Sequence, residues 1–374
     1  MKARSAWRTS WISGSCLWVA CVSFIFARFG NEIDAVNARI RTFLVSGKSD
    51  IRTFSPDGIP YSHFNRPART VISPFYVVHY GLIYSSLFQQ HFQGRPGWDN
   101  DLSIGVWDVQ PDHIAPGSFK NCADWVVENV GILNGQSHLI YDFDWPYANY
   151  PNGLLTAPWW SGLTDAYAII LMLRAYDVYG ELKYLDTATR LYHSVTMPLA
   201  QGGSRTDFDG VPWIEEYIDP SVEPKTMSRV LNGMIYATYA IEAFERYSST
   251  PQSERWSERF LRSIIARINR YDNGGWSYYD AAGTGANIKY HRIHVALLSN
   301  LSGRFNVQSL DELRTSWAKT SRWAGFYWVR SGGVSVAKMQ FAITYGLILL
   351  CPGIALVVRH VGKRRSGRRI DVSG

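Results

Sequence analysis

The chain has 374 residues and a formal net charge of +7, with 46% hydrophobic and 14% aromatic residues. Nine of its 38 basic residues and one of its 31 acidic ones lie in the tails, residues 1–8 and 359–374, which leaves 29 basic against 30 acidic and removes the main support for a nucleic-acid partner. Of four cysteines, Cys16, Cys21 and Cys351 fall in apolar end segments and Cys122 stands alone, so the pattern offers no disulfide framework.

Nineteen uncharged residues, 9–27, separate Arg8 from Arg28. At about 1.5 Å per residue they are long enough to cross a bilayer as a helix. A cleaved signal peptide is the alternative, but bulky Phe24, Ile25 and Phe26 stand where small residues belong before a cleavage site. Residues 28–72 are turn-rich, with turns at Ser55-Pro56-Asp57-Gly58 and Asn65-Arg66-Pro67, and predict an irregular segment without a strong helix.

Residues 73–325 form the working domain. From Pro74 onward apolar residues recur at helical spacing, with Val77, Val78, Gly81, Leu82 and Leu87 on one face and Ala123, Val126, Val127 and Val130 on another. Four clearer helices follow in two pairs, 160–179 with 182–197 and 228–247 with 253–270. The first helix of each pair ends alike, Ala175-Tyr176-x-x-Tyr179 and Ala243-Phe244-x-x-Tyr247, sixty-eight residues apart. That repeat predicts stacked helical hairpins that bury their shared faces. The expected fold is mainly α, an incomplete (α/α) toroid or barrel of hairpins with a cleft at one end and a transmembrane helix at each terminus.

The second span is 339–358, twenty uncharged residues between Lys338 and Arg359, with a Pro-Gly pair that a membrane helix tolerates. A buried core helix is its alternative. Basic tails mark the cytoplasmic side, so the pattern predicts a double-pass chain with its domain outside the cytoplasm.

Aromatic residues crowd the connections: Trp145, Tyr147, Tyr150, Trp159, Trp160, Trp213, Tyr217, Trp276, Tyr278, Tyr279 and Tyr290. Flat rings with polar tips stack on sugar C–H faces and bond sugar hydroxyls, which makes carbohydrate the expected ligand class, although any single ring can equally fill the core.

Three places offer chemistry. In Glu215-Glu216-Tyr217, an extended chain would put Glu215 and Tyr217 on one face and Glu216 on the other, and a solvated acidic pair is the plain alternative. The run Trp276-Ser277-Tyr278-Tyr279-Asp280 follows Gly275. Tyr290-His291-Arg292-Ile293-His294 opens a helix that continues through Leu297, Leu298 and Leu301. His291 and His294 share one helical turn but lack a third ligand motif, so no metal site is predicted. Asp142-Phe143-Asp144 and Asp207-Phe208-Asp209-Gly210 fit turns better than calcium loops, and no cofactor is expected.

At these motifs the chain resembles the D-glucuronyl C5-epimerase family, enzymes that convert glucuronate to iduronate within heparan-type polysaccharides. The likeness runs through Pro74–Tyr84 (PFYVVHYGLIY), Ala157-Pro158-Trp159-Trp160-Ser161, Arg174-Ala175-Tyr176, Glu215-Glu216-Tyr217, Val230-Leu231-Asn232-Gly233, Tyr279-Asp280 and Tyr290-His291-x-x-His294. It implies an (α/α) toroid and a proton taken from C5 beside the substrate carboxylate and returned from the other face. Two acid/base groups must flank the ring, and donors must neutralise the intermediate. Matched by position, Glu216 and Tyr290 are the expected acid/base pair, with Tyr217 and Tyr279 as donors or proton relays. Trp160, Arg229, Asn232, His291, Arg292 and His294 are the expected substrate-binding supports. Ala282 stands where the family has arginine, so Arg229 or Arg292 is expected to clamp the carboxylate, and Ala296-Leu297 replaces the family's Asn-Gln. The partners so implied are a uronate-containing polysaccharide and a lipid bilayer, with the chain working as a monomer or a homodimer. The compartment would be the outside of a bacterial inner membrane or a Golgi lumen. A polysaccharide lyase, or a non-catalytic sugar-binding scaffold of an export complex, would fit the same features.

Overall fold

A computed structural model describes residues 2–46, 52–65, 68–98, 115–147, 150–331 and 333–367. The chain opens with helices α1 (Lys2–Arg28) and α2 (Gly30–Ser46), then an antiparallel sheet of β1 (Arg52–Phe54), β2 (Pro60–Asn65) and β3 (Ala68–Val71). Residues 28–72 are therefore more regular than expected. Glu32 in the first turn of α2 favours helix, because acidic groups there face the positive end of the helix dipole. The turn expected at Asn65-Arg66-Pro67 includes residues 66–67, outside the described residues.

Four helical hairpins make the body: α3 (Pro74–Tyr84) with α4 (Pro116–Asn129), α5 (Gly162–Tyr179) with α6 (Leu182–Thr196), α7 (Leu231–Tyr247) with α8 (Trp256–Arg267), and α9 (Ile288–Phe305) with α10 (Gln308–Ser321). Side-chain pattern assigns the layers. Every residue of α5 from Gly162 to Ala175 is buried, as is every residue of α7 from Leu231 to Glu245. Their partners bury one stripe each, Tyr184, Ala188, Leu191 and Val195 in α6 and Phe260, Leu261 and Ile264 in α8. A helix apolar all round must be interior and a one-sided helix exterior. Accordingly α3, α5, α7 and α9 pack in succession as an inner layer, each backed by its partner. The arc holds two more hairpins than the repeat predicted.

Two helix starts also differ from expectation. Residues 159–160 pair as a strand, so α5 begins at Gly162, with Ser161 Oγ capping Thr164 N–H at 3.1 Å. Arg229 adopts a left-handed φ of 50° and Val230 bridges Asp280, so α7 begins at Leu231. At the far end of α7 the buried Glu245 accepts from Trp256 N–H at 2.6 Å, Ser257 N–H at 3.2 Å and Tyr192 O–H at 2.9 Å, which caps α8 and ties α6 to both.

The connections between hairpins carry short strands. Antiparallel β4 (Val130–Leu133), β5 (Gln136–Tyr141) and β8 (Trp159–Trp160) form one sheet, with β6 (Trp145–Pro146) pairing β7 (Leu154–Leu155) between them. Next come the ribbons β9 (Arg205–Phe208) with β10 (Val211–Ile214) and β11 (Asp272–Asn273) with β12 (Trp276–Ser277). Because each hairpin runs out and back, these connections gather at the N-terminal ends of α5, α7 and α9.

The chain closes with α11 (Ala324–Arg330) and α12 (Val336–Gly367). Helix α12 lies against α1, with Phe26 and Phe341 ring centroids 5.1 Å apart and Ser23 Oγ bonded to Tyr345 O–H at 2.7 Å. Among the described residues no single helix is long and apolar enough to cross a membrane, and α1 and α2 meet at an 80° bend. The end of the basic tail, residues 368–374, lies outside the described residues.

Candidate active site

Residues 214–218 run between two anchored edges. Glu215 N–H donates to Ser204 O at 3.0 Å, Gly162 N–H donates to Glu215 O at 3.2 Å, and Ile218 exchanges bonds with Trp160 at 3.0 and 3.1 Å. A bend at Glu216 breaks the expected alternation, so Glu216 and Tyr217 line one cavity together while Glu215 turns away. The inner helix comes close enough that a Cβ on Gly233 would sit 2.9 Å from Glu216 Cβ, inside normal contact. Glycine is what lets α7 support this carboxyl.

The cavity, of about 120 Å³, is walled by Phe75 and Tyr76 from α3, Tyr141 and Trp145 from the β-ribbons, Trp159, Thr164 from α5, and Glu216, Tyr217 and Tyr290. Asn287 Oδ1 caps α9 by accepting Tyr290 N–H at 2.8 Å, which fixes Tyr290 in the first turn. The Tyr279 ring meets Tyr290 edge-on at 4.7 Å, and the hydroxyls of Tyr217 and Tyr279 bond at 3.2 Å. Glu216, Tyr217, Tyr279 and Tyr290 thus form one cluster drawn from two inter-hairpin connections and the first turn of α9.

Electrostatically the cluster is poised. Burial pushes the Glu216 carboxyl up from 4.5 to about 7, a rise that donation from Tyr217 opposes and the neighbouring charge of Glu215 reinforces. Burial, and then the Glu216 charge, hold Tyr217 and Tyr279 well above the ordinary phenol range, so both keep their protons near neutrality. Asn232 is fully buried and donates Nδ2–H to Glu216 Oε2 at 3.4 Å.

The other expected supports lie elsewhere. Arg229 gives its guanidinium to Pro224 O at 2.9 Å, Met227 O at 2.8 Å and Asp207 O at 3.2 Å and pairs with Glu215 at 3.4 Å, on the far side of the strand. Its left-handed backbone turns it there. Arg292 is exposed and not on the cavity wall. His291 and His294 are fully buried around Ser277, whose N–H and Oγ bond His291 Nδ1 at 3.1 and 3.0 Å and whose Oγ bonds His294 Nδ1 at 2.8 Å. Burial pulls them down to about 4 and about 3, so they are neutral packing groups. Trp160 is likewise interior, donating to Ser204 Oγ at 3.1 Å and stacked on His138, itself bonded to Asp165 at 2.7 Å. No cluster of three or more metal-ligating side chains occurs among the described residues.

Tyr147, named in the sequence only among the aromatic residues of the connections, stands beside the cluster. Its ring lies 5.0 Å from that of Tyr217 and its hydroxyl donates to the buried Asp280 at 3.3 Å. The places of Phe75 and Tyr76 on the cavity wall were not predicted, although the motif Pro74–Tyr84 contains both. The guanidinium of Arg52 lies 3.5 Å from the Tyr76 ring centroid, placing a cation behind that wall.

The sequence profile of the D-glucuronyl C5-epimerase C-terminus matches residues 134–319. A D-glucuronyl C5-epimerase of Caenorhabditis elegans is 27% identical over 242 residues, covering 59% of this chain and 38% of that protein. An uncharacterized protein of Methanocaldococcus jannaschii is 29% identical over 170 residues, covering 44% of this chain and 52% of its own. The chain therefore spans about half or less of these relatives. Among solved structures, a sugar epimerase from a ruminal bacterium has a TM-score of 0.40 at 11% identity, covering 76% of this chain and 70% of that one. An unsaturated glucuronyl hydrolase specific for heparin has a TM-score of 0.38 at 10% identity, covering 82% and 84%. Through residues 134–319, which contain all four clustered side chains, the chain belongs to the D-glucuronyl C5-epimerase C-terminal domain family.

Proposed function

We propose that the chain epimerises D-glucuronate to L-iduronate at C5 within a polysaccharide. The observation that carries this is one buried carboxyl, Glu216, held near neutrality in an aromatic cavity that it shares with Tyr290. A base with pKa near the working pH is best suited to general acid/base catalysis. Ionised Glu216 takes the C5 proton, and the bonding pair passes into the substrate carboxylate. Tyr290 O–H then protonates C5 from the opposite face. Glu216 ends protonated and Tyr290 ends as phenolate, and the proton returns between them through the Tyr217 and Tyr279 hydroxyls, which also donate to the carboxylate as it gains charge. Trp145, half-buried on the cavity wall, offers a face for sugar C–H stacking.

The arc of hairpins supports the incomplete (α/α) toroid. Exposed apolar side chains along the terminal helices, among them Leu17, Phe24, Phe43, Leu44, Ile343 and Leu350, support membrane attachment, and the basic tails of the sequence favour a domain outside the cytoplasm. The test is incubation of the full chain with glucuronate-containing polymers in deuterium oxide. Deuterium at C5 with iduronate formed and no unsaturated ends is expected. Absorbance from unsaturated uronate would replace this proposal with a lyase, and neither outcome with any such polymer would leave a binding protein.

A further inference from the structure

Behind the Glu215–Glu216 strand lies a second and larger cavity, of about 970 Å³, between the β9–β10 ribbon, the segment before α7, and α8. Five cationic side chains line it, Arg205, Lys225, Arg229, Arg259 and Arg262, against the single carboxylate of Asp207. Two cations are internally matched, Lys225 with Glu223 at 2.7 Å and Arg229 with Glu215 at 3.4 Å. The other three are not: among the described residues no carboxylate pairs with Arg205, Arg259 or Arg262.

Arg205 and Arg259 share one ring. Their guanidinium carbons lie 4.3 and 4.6 Å from the Trp256 centroid, and Arg205 is fixed further by donating Nε–H to Thr196 O at 2.7 Å. Burial and the nearby charge of Arg259 both disfavour the charged form of Arg205. Like charges held beside each other in a concave site cost energy that an incoming anion recovers, and a planar guanidinium fork fits a carboxylate. Two arginines positioned on a tryptophan therefore make a built anion site, and its volume admits an extended ligand.

We propose that this cavity is a second binding site for an acidic polysaccharide, holding uronate carboxylates of the polymer through Arg205, Arg259 and Arg262 while a different stretch reaches Glu216. The choice of ligand rests on the glucuronate-polymer function proposed above. The site would confer preference for long chains and make polymer binding salt-sensitive.

The experiment is calorimetric titration of the full chain in detergent with a long polymer of alternating glucuronate and N-acetylglucosamine, at several salt concentrations. It compares the natural chain with Arg259→Glu/Arg262→Glu, whose side chains are both exposed, and with Arg259→Gln as a milder control. The double variant is expected to bind about tenfold more weakly and to lose part of the salt dependence, with an unchanged melting temperature. Arg259→Gln should fall between. Unchanged affinity and salt slope in the double variant, or no binding by the natural chain, would overturn the proposal. So would loss of binding to soluble short-chain phosphatidylglycerol with polymer binding intact, which assigns the cavity to an anionic lipid. If the charge effect appears but no C5 deuterium exchange occurs, the cavity stands and the catalytic proposal alone falls.

Discussion

Glu215 and Glu216 are chain neighbours, both more than nine-tenths buried, yet their surroundings give them opposite tasks. Glu215 turns toward Thr206 and Arg229, two residues that line the basic cavity: the Arg229 guanidinium pairs with it, Arg229 N–H donates to it at 3.2 Å and Thr206 O–H at 3.1 Å. Burial raises it, and the Arg229 guanidinium, the Arg229 N–H and the Thr206 hydroxyl oppose that rise and tie the side chain into the framework. Glu216 faces the aromatic cavity, with phenols and an amide but, among the described residues, no cation on the wall. Burial dominates there and leaves a carboxyl that can exchange its proton near pH 7. One bend in the chain decides which carboxyl becomes which.

The largest effect expected from breaking this contrast is at Glu216. Glu216→Gln should lower C5 hydrogen exchange by about 10³-fold. It should also stabilise the protein. A carboxyl whose folded pKa exceeds its unfolded value binds more protons folded than unfolded, so its ionisation costs stability as pH rises from 4.5 toward about 7. Denaturant unfolding at pH 8 should show the variant more stable, by up to about 3 kcal/mol.

Gly233→Ala pushes on the same carboxyl from behind. The added methyl displaces Glu216, and exchange should fall about 10²-fold, with a stability loss of about 1–3 kcal/mol. Glu215→Gln reverses the pattern. It leaves Arg229 unpaired in a buried setting, so unfolding should show a loss of about 3 kcal/mol, with a smaller effect on exchange than Gly233→Ala.

The smallest effect expected lies beneath both faces. His291 and His294, depressed to about 4 and about 3, stay neutral in the folded protein while the unfolded chain takes up protons below 6.5. Their contribution is full above that pH and is lost as pH falls, by about 2 kcal/mol per histidine at pH 5. His294→Gln should flatten the fall in unfolding free energy between pH 7 and pH 5.

Much of this was legible in the sequence and some could not be. The repeated ending of the first helix in each pair marked hairpins α5–α6 and α7–α8, and the resemblance to the epimerase motifs singled out Glu216, Tyr217, Tyr279 and Tyr290, which the structure brings together. Helical spacing marked α3, α4 and the start of α9, but their pairing into hairpins α3–α4 and α9–α10 escaped notice because α3 is short and these helices lack the repeated aromatic ending. Alternation misassigned the faces of Glu216 and Tyr217, since a bend depends on what holds the chain on both sides, here Trp160 and Ser204. Arg229, His291 and His294 lie next to reactive motifs in sequence, but a left-handed turn and a shared Ser277 carry them away from the cavity. The basic cavity was invisible because α8 and the β9–β10 ribbon meet only in three dimensions.

In the proposed reaction Glu216 is the proton acceptor, with its carboxyl raised to about 7. The most direct measurement is the pH dependence of kcat/KM for deuterium incorporation at C5 of a glucuronate polymer, for the natural chain and Glu216→Gln. A rising limb with an apparent pKa of about 7 is expected in the natural chain, absent from whatever residual exchange the variant keeps. A limb near the ordinary carboxylate value of 4.5, or the same limb in both proteins, would contradict it.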